Sequence, residues 1–439
     1  MEKFFGNKGG VRSTDPTLIF GKVHAVLYQL NREPFVSNAA AFTVKLAEER
    51  THNLISFSSS WVDQSIWERV ANVTVDPTGT TATASLFPLI RHFVGDIACG
   101  LLMGQDFMTN NPTVLPDLFT FDASFHKLLA GFPRWFPGMA PAYNARSRIV
   151  RAVRDHQEAL YAVWDDRDPG SAWNDLSDVS KVMQDRAREW RNMSANPDTY
   201  STCDLAVLWA MNVNANQIIF WVIWYIYSDA DLKASILEEM APFAHLTAVE
   251  SDLPIAEPPK LTIDLDGLLH SCPLLKATFF ETMRLVSPST SYKAVAESFN
   301  ITESAEDAAL DGKPQPQTYR FTKGTYICIP HGVHSMDGRY WKNPQEFTPR
   351  RFFVKDEKND PKKTSVDMGS MKVFGGGATM CKGRNFAERE VLVFVAAVLT
   401  CWDMEPVGGQ WRHPGSVMGS GAFLPKKDVR VRLRRRGVE

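Results

Sequence analysis

The chain has 439 residues, of which 44% are hydrophobic and 22% are charged, as in an ordinary globular protein. Its formal net charge of −2 gives no field that would attract nucleic acid. No run of ~18 consecutive apolar residues is present, so the sequence predicts no membrane-spanning helix. The six cysteines are far apart and lack CxxC or zinc-like spacing, which favours a reducing compartment. Arg432 and Arg434–Arg436 form a basic run that predicts a solvated tail.

Helical periodicity dominates the chain, and strands are few and late. The segments that predict helices are, in chain order, Ser85–Gly104, Ala145–Trp164, Asp204–Tyr227, Asp231–Ala244, Leu274–Leu285 and Arg384–Trp402. Thr318–Pro330 alternates around Lys323-Gly324 and predicts a hairpin, and Asp428–Leu433 predicts a terminal strand. There are no internal repeats. We therefore expect one mostly helical domain with small β-sheets over residues 1–439.

The predicted helix Asp204–Tyr227 contains a cluster of amide side chains among large apolar residues. Asn212, Asn214, Asn216 and Gln217 lie in its middle. Buried amides need hydrogen-bond partners. Either the surrounding protein satisfies them in a core helix, or a ligand pocket supplies the partners.

Two short patterns follow further along the chain, and each is weak alone. Glu281 and Arg284 are i, i+3 on one helix face, which is usually a solvated pair, and Arg351 follows in Phe-Thr-Pro-Arg-Arg-Phe. His331 and His334 have H-x-x-H spacing, but matching zinc ligands are absent nearby in the sequence. We therefore expect no metal at these histidines.

The segment Phe374–Ala387 is a glycine-rich turn that leads into a predicted helix, with Cys381 just before the helix begins. Backbone N–H groups at a helix N-terminus stabilise an anion, so the pattern predicts a lowered thiol pKa. A thiolate is a soft metal ligand, and glycines allow the backbone to approach a large flat group. For a lone cysteine the usual alternative is a structural thiol beside a turn.

The whole segment matches the pattern F-x-x-G-x-x-x-C-x-G-x-x-F-A. The matching residues are Phe374, Gly377, Cys381, Gly383, Phe386 and Ala387. The segment resembles the haem-binding loop of the cytochrome P450 family. The resemblance extends from about Pro16 to the C-terminus and is specific from Asp204 onward. It implies the triangular cytochrome P450 fold, mostly helical with small β-sheets.

The resemblance implies a role for each residue of the loop. Cys381 would be the proximal thiolate ligand of the iron of haem b. Phe374 would pack near the sulfur, and Gly377 and the amides around Gly383 would complete the loop. Thr379 stands where relatives often place an Arg or His for a haem propionate. Lys293 is the candidate for a second propionate contact.

Three charged residues match a cluster that locks the family core behind the haem. Glu281, Arg284 and Arg351 have the matching order and spacing. Buried charges must be paired or they cost several kcal/mol. We therefore expect the loss of any one of them to prevent haem incorporation.

On the long helix, Asn214 and Ala215 stand where most monooxygenases of this fold place an acid and an alcohol. Asn has no proton to give at pH 7. In one hypothesis, water or a substrate hydroxyl carries the protons, and the chain oxidises a medium-sized apolar molecule. In a second, the chain activates no O₂ and rearranges an oxygenated substrate. A third is a truncated, non-catalytic haem protein.

The resemblance is strongest to the clan of cholesterol 7α-hydroxylase and prostacyclin synthase, and it suggests a fungal enzyme of secondary metabolism. Electrons would come from NADPH through a cytochrome P450 reductase that docks at Lys382, Arg384 and Arg389. We expect the N-terminal membrane anchor and first strands of microsomal relatives to be missing. The implied location is the cytosolic face of the endoplasmic reticulum with at most peripheral membrane contact, or else the cytoplasm.

Overall fold

The computed structural model describes residues 19–249, 258–356, 360–377 and 380–438. Its α-helices are α1 His24–Val26, α2 Phe35–Arg50, α3 Ile66–Val70, α4 Leu86–Met103, α5 Gln105–Asn110, α6 Val114–Asp122, α7 Phe125–Leu129, α8 Ala140–Trp164, α9 Lys181–Asn192, α10 Pro197–Ser228, α11 Ala230–Met240, α12 Leu265–Ser271, α13 Pro273–Val286, α14 Ala305–Leu310, α15 His331–Ser335 and α16 Arg384–Cys401. Its strands are β1 Thr74–Val75, β2 Ala82–Ser85, β3 Ala244–Thr247, β4 Lys260–Ile263, β5 Thr290–Ala294, β6 Phe299–Thr302, β7 Thr318–Phe321, β8 Tyr326–Pro330, β9 Phe353–Asp356, β10 Asp360–Val366, β11 Trp402–Pro406, β12 Ser416–Val417, β13 Leu424–Pro425 and β14 Arg430–Arg435. Short 3₁₀ turns cover Leu27–Asn31, Thr51–Asn53 and Pro349–Phe352, and a π turn covers Ile19–Val23.

All six predicted helices are present, but the helix predicted over Asp231–Ala244 ends at Met240, and Ala244 begins β3. The long helix α10 begins earlier than predicted. Asn196 caps it by accepting a hydrogen bond from the Asp198 amide at 2.8 Å, and Pro197 occupies its first position. The helical periodicity predicted only the apolar part of α10. Its N-terminal turns are polar, and the cap decides where they begin.

The core lies where α4, α10, α13 and α16 pack together. The segment Val391–Leu399 of α16 is buried on every side, as expected for a helix that is apolar all round. By length and composition alone, α4 and α10 could each cross a membrane, but 78% and 72% of their apolar windows are buried inside the fold. This burial is typical of the core helices of a globular protein.

The sheets are small, and one sequence prediction about them is wrong. β7 pairs with β6, and β8 pairs with β5, so Thr318–Pro330 is not a hairpin. Gly324 does form the turn, with a φ of 84°. The alternation in this segment predicted two strands correctly, but it carries no information about distant partners.

The C-terminal basic run is also not a solvated tail. It belongs to β14, which lies between β2 and β11 in a four-stranded sheet of order β1-β2-β14-β11. Arg435 donates to the carbonyl oxygens of His52 at 3.1 Å and Ile55 at 3.0 Å, and Arg436 donates to that of Leu399 at 3.1 Å. These arginines tie the last strand to the core.

Glu390 is buried in α16, and its environment predicts a pH-dependent stability. Burial raises the pKa of this carboxyl to about 8. Because the folded pKa lies above the unfolded one, the folded state binds more protons, and stability falls as pH rises between about 4.5 and 8. We expect Glu390→Gln to raise the free energy of unfolding at pH 8 by on the order of 2 kcal/mol and to flatten its pH profile. Denaturant unfolding of both proteins at pH 5 and 8 measures this, and equal pH slopes would contradict it.

Candidate active site

The cysteine loop, residues 374–383, turns twice through glycine before α16. Gly375 and Gly377 have φ angles of 73° and 66°, in the left-handed region that favours glycine. The Cys381 amide donates to the carbonyl oxygen of Phe374 at 3.0 Å, and the Met380 amide donates to that of Gly377 at 3.0 Å. These bonds fix Cys381 at the mouth of the loop, immediately before the helix.

The thiol of Cys381 is exposed to the space beside the loop. The backbone N–H groups of Gly383 and Arg384 lie beside the sulfur and act to lower its pKa. Protein packed around the remaining sides raises the pKa of the Cys381 thiol, and this desolvation outweighs those amides and the charge of Arg384. The lowered pKa that the sequence predicted is therefore wrong for the thiol by itself. A bound metal ion would deprotonate it outright.

The loop leaves room for a flat group and is tied to a neighbouring strand. A Cβ atom added at Gly376, Gly377 or Gly383 would meet nothing within 4 Å. Lys293 on β5 places its Nζ atom 3.5 Å from the Gly376 carbonyl oxygen. The Ser289 hydroxyl donates to the Val373 carbonyl oxygen at 2.9 Å. The cation of Lys293 is thus held beside the open face of the loop, while Thr379 lies outside the described residues.

These residues fit a haem held by one sulfur ligand. The donor is the thiol of an exposed cysteine with two backbone amides beside it, next to a glycine backbone that a large planar group can approach. Within residues 19–249, 258–356, 360–377 and 380–438, no three His, Cys, Asp or Glu side chains come together as a metal site. His331 and His334 have separate partners, the hydroxyls of Ser291 at 2.8 Å and Ser370 at 3.0 Å.

Glu281, Arg284 and Arg351 form one buried ionic cluster. The Glu281 carboxylate accepts from Nε of Arg284 at 2.7 Å, Nη2 of Arg284 at 2.8 Å and Nε of Arg351 at 3.1 Å. The Thr348 amide adds a fourth hydrogen bond at 2.8 Å. The side chains of Glu281 and Arg284 are fully buried. Arg284 also donates to the carbonyl oxygen of Pro344 at 2.6 Å, so α13 is fastened to the segment before the cysteine loop.

On α10, Ala210 and Asn214 are exposed although most of the helix is buried. They are i, i+4 and therefore lie on one face. Ala215 is buried and does not share that exposure. Phe386, just after Cys381, belongs to the same hydrophobic cluster as Leu208 of this helix. The cysteine end of α16 and the middle of α10 therefore share a core.

The surrounding protein satisfies the other amides of α10 only in part, because the Oδ1 atoms of Asn212 and Asn216 have no hydrogen-bond partner among the described residues. Asn212 donates to the carbonyl oxygen of Leu208 at 2.9 Å, and Asn216 donates to that of Arg91 at 3.2 Å. In the part of the chain that the structure describes, neither amide atom of the buried Gln217 has a hydrogen-bond partner. Gln217 is i+3 from Asn214, so an unsatisfied amide and an exposed one lie on neighbouring positions of the same helix.

The comparisons with known proteins agree on one family. The cytochrome P450 family profile matches residues 264–430, which hold the ionic cluster and the cysteine loop. A cytochrome P450 monooxygenase of Gibberella zeae is 24% identical over 326 residues, 73% of this chain and 55% of that protein. Cytochrome P450 monooxygenase calL of Penicillium decumbens is 25% identical over 83% of this chain and 66% of that protein.

A mammalian relative and a solved structure extend the agreement. Cytochrome P450 7A1 of Rattus norvegicus is 26% identical over 72% of this chain and 58% of that protein. The retinoic-acid-bound structure of cyanobacterial CYP120A1 matches with a TM-score of 0.61 and 16% sequence identity. The match covers 94% of this chain and 78% of the CYP120A1 chain. Residues 264–430 of this chain are thus part of a cytochrome P450. The chain spans about half to two thirds of the length of these curated relatives.

One part of the P450 site has no counterpart in the sequence prediction. The closing hairpin, made of β12, β13 and the connecting residues 418–423, lies against α10. A Cβ atom added at Gly421 would approach Oδ1 of Asn214 to 2.3 Å, so a side chain there would displace the Asn214 amide. His126 of α7 lies 3.1 Å from the carbonyl oxygen of Gly419. The Gly-Ser-Gly triplet at 419–421 was the available signal for such a close approach.

Proposed function

We propose that this P450 is an NADPH-driven monooxygenase of a medium-sized apolar molecule. The observation that carries the proposal is the exposed Cys381, which lies with the backbone amides of Gly383 and Arg384 beside a glycine-lined space. Cys381 would hold the iron of haem b and Lys293 would orient a propionate. The bound haem supplies the activation of molecular oxygen. Homology to fungal monooxygenases supports a role in fungal secondary metabolism.

The residues of α10 would position the substrate and a water molecule. Asn214 is exposed, and the buried amide of Gln217 lacks a partner among the described residues. Both are neutral hydrogen-bonding groups, so they orient a hydroxyl or a water without transferring a proton themselves. In this proposal, protons arrive through water or a substrate hydroxyl.

Reduction requires a partner protein, for which we propose an NADPH–cytochrome P450 reductase. Lys382, Arg384 and Arg389 lie at the start of α16, beside the cysteine. Lys382 packs on the ring of Tyr28 with its Nζ atom 4.2 Å from the ring centre, and Arg384 donates to the Cys381 carbonyl oxygen at 2.9 Å. Positive charge at this face would steer an acidic partner. The proposed location is the cytosolic face of the endoplasmic reticulum or the cytoplasm.

The same α10 residues favour one alternative, an O₂-independent rearrangement of an oxygenated substrate. Asn214 cannot donate a proton at pH 7, and Ala215 is buried. An enzyme that does not activate O₂ has no need of a proton relay. A non-catalytic haem protein is the third candidate.

Turnover assays separate these functions. The haem-loaded chain is incubated with reductase, NADPH, O₂ and a panel of apolar compounds, and products are analysed by mass spectrometry. We expect products heavier by one oxygen that require both NADPH and O₂, and none from Cys381→Ala. Anaerobic turnover of an organic peroxide without NADPH would replace the proposal with the rearrangement. No turnover in either assay would identify the non-catalytic protein.

A further inference from the structure

A cavity of about 270 Å³ lies at the C-terminal half of α10, away from the cysteine loop. The residues that form most of its wall are Trp221, Tyr225, Phe347, His413, Leu285 and Val286. Trp221 is seven residues beyond Asn214, about 10 Å further along the helix axis. None of the described cysteine-loop residues, 374–377 and 380–383, lines the cavity. It is therefore separate from the site where haem would bind.

Stacked rings shape this cavity. Trp221 stacks with His413 at a centroid distance of 5.3 Å and an interplanar angle of 25°. Tyr225 stacks with Phe347 at 3.9 Å and 6°. Trp224 meets the His413 ring edge-on at 5.0 Å and so holds it in place. Flat ring faces that are already fixed lose little side-chain freedom when another ring packs on them.

The cavity has a buried floor and a polar mouth. Trp221 and Val286 are buried, whereas Gln345, His413 and Ser416 are exposed. The partial burial of the His413 ring lowers its pKa, which favours the neutral ring. Among the residues that the structure describes, no charged side chain lines the cavity, and burying an unpaired charge there would be costly. The matching ligand is a neutral planar aromatic molecule with one N–H or O–H group for Gln345 or Ser416.

The walls of the cavity are joined to the closing hairpin. Trp221 donates from its indole N–H to the Phe423 carbonyl oxygen at 2.8 Å, and the Phe423 amide donates to the Val286 carbonyl oxygen at 2.8 Å. Ser416 of β12 and Phe423, which leads directly into β13, both line the cavity. The tip of the same hairpin lies against Asn214 through Gly421. A ligand in the cavity would therefore contact both arms of the hairpin that reaches the substrate side of α10.

We propose that this cavity binds a small neutral aromatic effector, of the size of indole, which steadies the closing hairpin over Asn214. Binding needs neither haem nor turnover, so it can be tested independently of the proposed monooxygenase activity. An effector that holds the hairpin tip in place reduces the movement of the tip away from Asn214. It thereby acts on the substrate side of α10 without entering the haem site.

Indole is the probe for the test, with the full chain as the protein. We expect saturable binding by ligand-observed NMR with a Kd of about 1 mM or below. Ser416→Trp fills the exposed mouth and should weaken binding at least tenfold, without disturbing the floor. Phe299→Ala removes one ring of a stacked pair on the remote β6–β7 sheet, 5.2 Å between centroids, and should leave the Kd unchanged. Absence of saturable binding, or equal binding by Ser416→Trp, would overturn the site.

Hydrogen exchange tests the connection to the hairpin. We expect saturating indole to slow amide exchange at Gly419–Gly421 severalfold in the wild-type chain and to have no such effect in Ser416→Trp. Binding with unchanged exchange at these glycines would overturn the effector role. Slower exchange in both proteins would show that indole acts from another place and would overturn the assignment to this cavity.

Discussion

Replacing Cys381 with alanine is expected to abolish the red-shifted Soret band that a thiolate ligand gives the carbon monoxide complex of the reduced haem protein. Cys381 is the exposed donor that the cysteine loop presents, and the backbone amides of Gly383 and Arg384 lie beside its sulfur. Without it, the loop would offer no sulfur donor to the haem iron. The measurement is the difference spectrum of the dithionite-reduced protein with and without carbon monoxide.

Cys328 provides the matched control because it is also an exposed cysteine, but it lies on β8. We expect Cys328→Ala to retain the band at wild-type intensity. A band that survives in Cys381→Ala, or that disappears in Cys328→Ala, would show that the ligand has been assigned to the wrong residue.

Replacing Glu281 with alanine is expected to lower the free energy of unfolding by about 3–5 kcal/mol and to prevent haem incorporation. The substitution leaves the guanidinium of Arg284 buried without its counter-charge and removes the acceptor of four hydrogen bonds. Denaturant unfolding gives the stability, and the ratio of haem to protein gives the incorporation.

The pair Lys45–Glu49 serves as the control for this prediction. Its atoms are 4.0 Å apart, and its side chains are 69% and 54% exposed. An exposed pair of this kind contributes at most about 0.5 kcal/mol, so Glu49→Ala should change neither stability nor haem content measurably. Arg351→Lys should reduce the free energy of unfolding and the haem content by less than Glu281→Ala and by more than Glu49→Ala. The reason is that the Arg351 side chain is 11% exposed. Full haem content in Glu281→Ala would refute the proposed role of the cluster.

Features fixed by neighbouring residues were predictable. The cysteine loop is one, because its glycine turns and the following helix depend on residues within 374–387. The six helices are another, because their apolar periodicity is local. The pair Glu281–Arg284 lies on one helix face for the same reason, but the sequence alone could not distinguish it from a solvated pair.

Features that depend on distant partners were not predictable from pattern alone. The strands at 318–330 pair with β5 and β6 instead of with each other. The arginines of β14 reach the backbone near His52, some 380 residues away in the chain. The pKa of Cys381 rises because other segments pack around it and outweigh the local helix amides. In each case, the deciding energy comes from residues that the fold brings together.

The sequence by itself determined the family, the helical class of the fold and the cysteine that presents its thiol, because each follows from short-range spacing. Only the tertiary structure decided the rest of the site. It placed Arg351 on Glu281, 70 residues apart, brought the hairpin glycine Gly421 against Asn214, and formed an aromatic cavity from four separate segments. Burial and electrostatic pairing act over distances in space, and a linear pattern cannot specify those distances.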